Sequence, residues 1–198
     1  MKENKKKWIL PFLVFMIGIG IVAGTINHLK VYDQKQNREL ADLNAVTYAE
    51  RVKTDLMKEI GVTDTLKQML ISENGKLSNF SRVAENMMTN SIQSIQLAPK
   101  GIATEIYPKK GNDAGKIDLI HDKDRGEISR YARDNGVLTL QGPFELKQGG
   151  QGIAVRNPVY LENDDGEEVF WGFTIVIIRV PDIFADTCLL YTSPSPRD

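Results

Sequence analysis

Cysteine and histidine are scarce in this chain of 198 residues, which contains one of the former and two of the latter. A single cysteine, Cys188, excludes an internal disulfide framework. His121 stands beside Asp122 and Asp124, but no second histidine lies near it at a spacing typical of metal ligands. We therefore interpret these charges as the solvated start of a helix, and we expect neither a metal site nor a cofactor.

Enzyme motifs are missing as well. The sequence has no G-x-S-x-G nucleophile elbow, no C-x-x-C pair and no H-E-x-x-H. Lysine and arginine number 25 against 26 aspartates and glutamates, so the net charge creates no general attraction to nucleic acid. We expect a non-catalytic chain without a nucleic-acid partner, and an anchored extracellular hydrolase is the least favoured function.

One long apolar run is present, Trp8–Ile26, and it contains no charged residue. As a helix it would rise about 28 Å, close to the ~30 Å hydrocarbon core of a bilayer. Lysines precede it, so the positive-inside rule predicts cytoplasmic residues 1–7, a transmembrane helix over 8–27 and an extracytoplasmic remainder. A cleaved signal peptide is less favoured, because no small-x-small cleavage site stands out after the run.

The segment over residues 28–90 is predicted to be helical and extracellular. From Asn27 to about Ile60, apolar residues recur at steps of three and four, which indicates a long amphipathic helix ending at Gly61. Shorter helices are expected over about 63–72, capped by Thr63 or Asp64, and after Ser78 or Ser81. The apolar stripe fits packing on the chain's own domain or, in addition, a parallel homodimer seam.

After residue 90 the apolar period changes to the two-residue period of strands. The predicted order is strand, strand, helix, strand, strand, strand, over about 91–99, 101–108, 122–136, 137–144, 152–161 and 168–180. An Asp-Gly pair marks a hairpin between the last two strands. This order predicts an α+β fold with a mostly antiparallel sheet. The run over 168–180 is too short for a second membrane span.

Glycines over residues 149–152 could indicate a phosphate-binding loop. Such loops join a strand to a helix whose amino terminus holds the anion. Here the extended segment "IAVRNPVYL" follows, and no Lys-Ser or Lys-Thr pair comes after the glycines. We therefore predict a hairpin connection between two strands.

The predicted strands can line a cavity. Alternation places Arg156 on one face of its strand and Asn157 on the other, and in the last strand it groups Phe170 with Thr174, opposite Trp171 and Phe173. An arginine inside a strand is either an exposed salt-bridge partner or an anion clamp in a pocket. Gly172 leaves room for a ligand or for another backbone.

Five segments between Ser91 and Ala185 carry a family signal. They are "APKGI" at 98–102, "DRGEISRYARDNG" at 124–136, "GPFEL" at 142–146, "GIAVRNPVY" at 152–160 and "WGFTIVIIRV" at 171–180. In this order they resemble the CHASE domain, an extracellular sensor of bacterial transmembrane kinases, nucleotide cyclases and plant cytokinin receptors. The resemblance implies a PAS-like domain over 91–186, followed by a second membrane helix and a cytoplasmic histidine kinase or diguanylate cyclase.

The sequence departs from the plant members at two places. Plant members carry Leu-Thr-Ser-Pro-Phe where this chain has Leu140–Phe144, and their polar ligand-contacting strand residue maps to Gln141. The plant loop whose aspartate recognises adenine has no clear counterpart after Tyr107. The resemblance therefore does not imply a cytokinin ligand.

We predict an extracellular sensor that binds a small molecule or a peptide. Aromatic residues would form apolar walls, amides would donate hydrogen bonds, and the arginine would contact an anion. The candidate ligand-binding residues are Gln141, Phe144, Arg156, Asn157, Trp171 and Thr174. The alternative is a membrane-anchored protein-interaction domain without a small ligand, whose interior behind the sheet would be filled.

The last residues, "CLLYTSPSPRD", have no periodicity and resemble translated sequencing-adapter sequence, so residues 187–198 are expected to be non-native. We predict that the natural gene continues past Asp186 with a second span of about twenty apolar residues. A kinase or cyclase module should follow. Reading the genomic locus tests this, and an in-frame stop directly after Asp186 would contradict the receptor interpretation.

Overall fold

A computed structural model describes residues 6–111, 115, 117–146, 149–180 and 182. Of the expected cytoplasmic segment 1–7, residues 1–5 lie outside this part of the chain, and so does the expected non-native tail. The helices of the described residues are α1 (Lys6–Ser72), α2 (Phe80–Met87) and α3 (Gly126–Asn135). The strands are β1 (Ile92–Pro99), β2 (Glu105–Tyr107), β3 (Thr139–Glu145), β4 (Gln151–Glu162) and β5 (Glu168–Arg179).

The chain divides into two compact units, Met1–Glu50 and Arg51–Asp198. In the first unit α1 exposes large apolar side chains, Phe12 and Ile26 among them, as expected for the predicted transmembrane helix. Its most apolar window has a mean hydropathy of 1.9, and within the described residues α1 is the one helix long and apolar enough to cross a membrane.

The predicted end of the long helix at Gly61 is wrong, because α1 continues to Ser72. The separate helix expected from Thr63 or Asp64 is therefore the last part of α1. Glycine costs a helix only about 1 kcal/mol relative to alanine, and fully buried Leu66 and Leu70 beyond it outweigh that cost. The helix ends where the "SENGK" stretch was expected to break it.

The second unit contains a five-stranded sheet in the order β2-β1-β5-β4-β3, and each neighbouring pair is antiparallel. The predicted α+β class and the order of strands and helix are confirmed. β3 and β4 pair across the glycine-rich stretch, where the Leu146 N–H donates to the Gly150 carbonyl at 2.9 Å. The glycines therefore connect two strands, as predicted.

Helices cover the two faces of this sheet. On the α1-side face, Leu66, Leu70 and Phe80 join one apolar cluster with Val155 and Val176 of the central strands. On the α3-side face, Ala132 joins a second cluster with residues such as Phe173 and Ile175. β4 and β5 are consequently buried on both sides.

A β-bulge changes the expected alternation along β5. Val159 pairs with Gly172, but the next residue, Tyr160, pairs with Phe170. Phe170 therefore shares the α3-side face with Phe173, and their ring centroids lie 5.0 Å apart. The predicted grouping of Phe170 with Thr174 is wrong, because the bulge inserts one residue into β5 and reverses the faces before Gly172.

Another backbone occupies the room beside Gly172. A Cβ at this position would overlap the Ala98 carbonyl oxygen and lie 2.7 Å from the Pro99 Cα. The φ of +155° is one that other residues rarely adopt. Gly172 thus allows β1 to approach β5 closely, and no ligand is needed to explain it.

We predict that Gly172→Ala lowers the free energy of unfolding by at least about 3 kcal/mol, because β1 and β5 must separate. Gly61→Ala is the matched control: no atom lies within 4 Å of its Cβ position, so it should stabilise α1 by about 0.5–1 kcal/mol. Thermal unfolding of both variants, followed by near-ultraviolet circular dichroism, measures the difference. Equal stability of the two variants would contradict the close approach.

Candidate ligand-binding site

Polar side chains collect on the α3-side face of the sheet. Thr139 pairs with Arg156, Arg156 with Ile175, and Ile175 with Gln96. The next row across the same strands is Gln141, Ala154, Ile177 and Ser94. Directly opposed residues of antiparallel strands share a face, so five polar residues lie together. We call them the polar patch: Ser94, Gln96, Thr139, Gln141 and Arg156.

Arg156 is the centre of the polar patch. It is only 2% exposed, and its Nε and Nη1 are buried without a hydrogen-bond partner among the described residues. The interpretation of Arg156 as an exposed salt-bridge partner is therefore wrong, because β4 is an internal strand of the sheet and α3 packs on it. A buried guanidinium with open donors costs several kcal/mol unless an acceptor satisfies it.

Charged residues in the turn before α3 affect the pKa of Arg156. Burial and, to a smaller extent, the Arg125 charge lower the pKa of Arg156, the Asp122 charge opposes both, and the net pKa is about 10. The guanidinium remains charged at neutral pH. Burial also opposes ionisation of Asp122, but N–H groups of Asp124 and Arg125 and the two guanidinium charges hold the pKa of its carboxyl below the ordinary value. The charges of Arg156, Arg125 and Asp122 sum to +1.

The other members of the polar patch differ in their partners. The Gln96 Nε2 donates to the Ser94 Oγ at 3.0 Å, so these two residues satisfy each other. The Gln141 Nε2 donates to the Asp124 carbonyl at 2.9 Å, whereas its Oε1 is buried without a partner. The Thr139 Oγ1 also has no partner. Two hydrogen-bonding atoms without partners, the Thr139 Oγ1 and the Gln141 Oε1, therefore lie on the same face of the sheet as Arg156.

Three of the predicted site residues lie on the opposite, α1-side face. The Thr174 Oγ1 donates to the Thr63 carbonyl at 2.9 Å, and the Asn157 Nδ2 donates to the Asp64 Oδ1 at 2.6 Å. Trp171 packs against the apolar cluster of that face. These contacts attach the sheet to α1, and a ligand role for the three residues stays a prediction.

The remaining candidates, Gln141 and Phe144, lie on β3. Gln141 belongs to the polar patch, and Phe144 pairs with Gly152 beyond a register shift and is 37% exposed. The sequence analysis missed Thr139, although alternation along "TLQ" places it on the same face as Gln141. Gln96 and Ser94 were missed because only the pairing of β1 with β5 brings them to Arg156.

The acidic residues before α3 have structural partners. The Asp122 Oδ1 accepts the N–H groups of Asp124 and Arg125, both at 2.9 Å, in the turn before α3. The predicted helix start at Asp122 or Asp124 is wrong, because α3 begins at Gly126 and has no side-chain cap. His121 contacts Asp118 at 2.9 Å between Nδ1 and Oδ2. In the part of the chain that the structure describes, no group of three His, Cys, Asp or Glu side chains is arranged to hold a metal ion.

Comparison with known proteins identifies the family. The family model of the CHASE domain matches residues 30–195. The chain belongs to the CHASE domain family. Its fold is similar to that of an extracellular ligand binding receptor from Desulfohalobium retbaense DSM5692, with a TM-score of 0.55 and 14% sequence identity. The similarity covers 72% of this chain and 25% of the receptor chain, so this CHASE chain spans about a quarter of the receptor's length. No curated protein matches it.

We predict that Arg156→Met raises the free energy of unfolding of this CHASE chain by about 1–4 kcal/mol, because it removes, at similar volume, a buried charge whose Nε and Nη1 have no hydrogen-bond partner among the described residues. Arg156→Ala is less suitable, because the cavity that it leaves would lower the stability and hide the gain from removing the charge. Asp64→Ala is the control, and it should cost about 1–3 kcal/mol because Asn157 loses its acceptor. Thermal unfolding of both variants is the measurement. Destabilisation by Arg156→Met would indicate an internal partner for the guanidinium.

Proposed function

We propose that this chain is the extracytoplasmic ligand-sensing part of a membrane-anchored signalling receptor. Membership of the CHASE domain family supports a sensor domain. The observation that carries the proposal is the buried Arg156 with open donors at Nε and Nη1. A fold that keeps buried donors without internal acceptors has a reason to do so if an external anion supplies the acceptors.

The anion would bind between α3 and the sheet. A guanidinium presents planar, directed donors that match the two oxygens of a carboxylate or the oxygens of a phosphate. Thr139 and Gln141 offer further hydrogen bonds beside it, and Ile175 and Ile177 supply apolar surface. Apolar walls with a few convergent polar groups are typical of small-molecule sites.

The same strand that carries Arg156 also contacts α1. On the other face of the sheet, the side chain of Asn157, the next residue, donates a hydrogen bond to Asp64 of α1. Thr174 of β5 donates one to the Thr63 carbonyl. A ligand that shifts β4 at Arg156 would therefore shift the Asn157–Asp64 contact. Because α1 is also the helix that contains the apolar run, we propose that it passes this change toward the membrane and a cytoplasmic effector.

The orientation and the oligomer are further parts of this proposal. The lysines before Trp8 support a cytoplasmic amino terminus. In the first unit α1 exposes Leu40, Leu43 and Val46, a stripe at helical spacing that supports a parallel homodimer seam. An interaction domain without a small ligand would leave the Nε and Nη1 donors of Arg156 without acceptors, and we therefore do not favour it.

We predict that an anionic compound raises the unfolding temperature of the full chain in lipid nanodiscs, within a panel of amino acids, carboxylates, purines and peptides. The shift should disappear in Arg156→Met. In Arg156→Lys it should be smaller than in the wild type, because an ammonium lacks the planar fork.

Asp64→Ala serves as the control for this screen, since it weakens the other face of the sheet and leaves the polar patch intact. It should unfold at a lower temperature and keep the ligand-induced shift. A ligand that stabilises Arg156→Met as much as the wild type would move the binding site away from the polar patch.

A further inference from the structure

The amide of Gln141 has a defined orientation. Its nitrogen donates to the Asp124 carbonyl, and a carbonyl oxygen can only accept, so the other amide atom must be the oxygen. This Oε1 is buried and has no partner. Gln141 therefore presents a hydrogen-bond acceptor to whatever lies beside it, and only an N–H or O–H group can satisfy that acceptor.

The Gln141 acceptor and the Arg156 donors, all without partners, belong to neighbouring rows on the same face of the sheet. Gln141 pairs with Ala154, which is two residues from Arg156 on the same face of β4. Residues two apart on one strand are separated by about 7 Å, and long side chains easily span part of that distance. One small molecule can therefore place an acceptor at Arg156 and a donor at Gln141.

The net charge of the protein groups around Arg156 determines which ligand charge fits. Arg156 and Arg125 contribute two positive charges, and the ionised Asp122 contributes one negative charge. A monoanion neutralises this sum, whereas a zwitterion brings an ammonium toward two guanidinium groups. A second carboxylate would face the oxygen of Gln141, and two acceptors repel each other.

The helix above the polar patch leaves little depth for a ligand. α3 faces the sheet with Ser129 and Ala132, both fully buried, and the Ser129 hydroxyl is already bonded to the Arg125 carbonyl. Small side chains allow α3 to lie close to β3 and β4. A ligand between these layers must itself be small.

We infer that the ligand is a small 2-hydroxy monocarboxylate, an inference that rests on the proposed sensor function. Its carboxylate accepts hydrogen bonds from the Arg156 guanidinium and the Thr139 hydroxyl. Its hydroxyl donates to the Gln141 Oε1. This ligand satisfies each open atom of the polar patch with one small anion.

Lactate, propionate and alanine test the inference, since propionate lacks the hydroxyl of lactate and alanine replaces it with an ammonium. Isothermal titration of the full chain in nanodiscs should give at least a tenfold lower Kd for one lactate enantiomer than for propionate, because propionate leaves the Gln141 acceptor buried and unpaired. Lactate should also bind more tightly than alanine and than malonate, which carries a second carboxylate.

Two variants test whether Gln141 causes the preference for lactate over propionate. Gln141→Leu should bring the ratio of the propionate and lactate Kd values close to one, whereas Thr139→Val should weaken both acids by a similar factor. The wild-type comparison needs no variant, so a folding defect in Gln141→Leu leaves the test intact.

The outcomes separate the ligand class from the sensor function. Propionate binding as tightly as lactate, or alanine binding more tightly, would overturn the 2-hydroxy acid inference. If another anion from the wider panel binds through Arg156 and lactate does not, the sensor proposal stands and the ligand class is wrong. If no compound of the panel depends on Arg156, the proposed sensor site itself fails.

Discussion

Burial of β4 on both of its faces is the constraint on which the rest of the structure depends. Consecutive side chains of a strand point to opposite faces, so Arg156 must face α3 if Asn157 faces α1. Neither residue can turn without displacing the strand. The guanidinium is 2% exposed, and its Nε and Nη1, which have no hydrogen-bond partner among the described residues, make the α3-side face chemically different from the other face of the sheet.

The sequence was sufficient for the order of the elements, because each strand and helix has its own local period. It was also sufficient to identify Arg156 as unusual, since a charge in an apolar strand is a local feature. It could not predict the helix through Gly61, where burial of Leu66 and Leu70 outweighs propensity. Nor could it predict the bulge before Gly172, which depends on how β4 pairs with β5.

The candidate site was predicted only in part for a related reason. Alternation assigns each residue to one of two faces, but it does not reveal which helix covers which face. Asn157 and Thr174 were grouped with Arg156 because they are polar, although they lie on the α1-side face. Gln96 reaches the polar patch only through the pairing of β1 with β5, which joins segments distant in sequence.

Three residues in one stretch of α1 make polar contacts with the rest of the second unit. Glu59 accepts hydrogen bonds from the Thr89 and Ser91 hydroxyls at 2.9 and 2.7 Å, and Thr63 and Asp64 hold the sheet one turn later. Hydrogen bonds are directional and contribute about 0.5–3 kcal/mol each, whereas each fully buried leucine beyond them contributes about 1.5–3 kcal/mol without directional demands. A displacement of β4 would therefore change the polar contacts first, while the apolar packing keeps α1 on the sheet. Such a combination would let the helix shift without detaching, which is the property that the proposed signal along α1 requires.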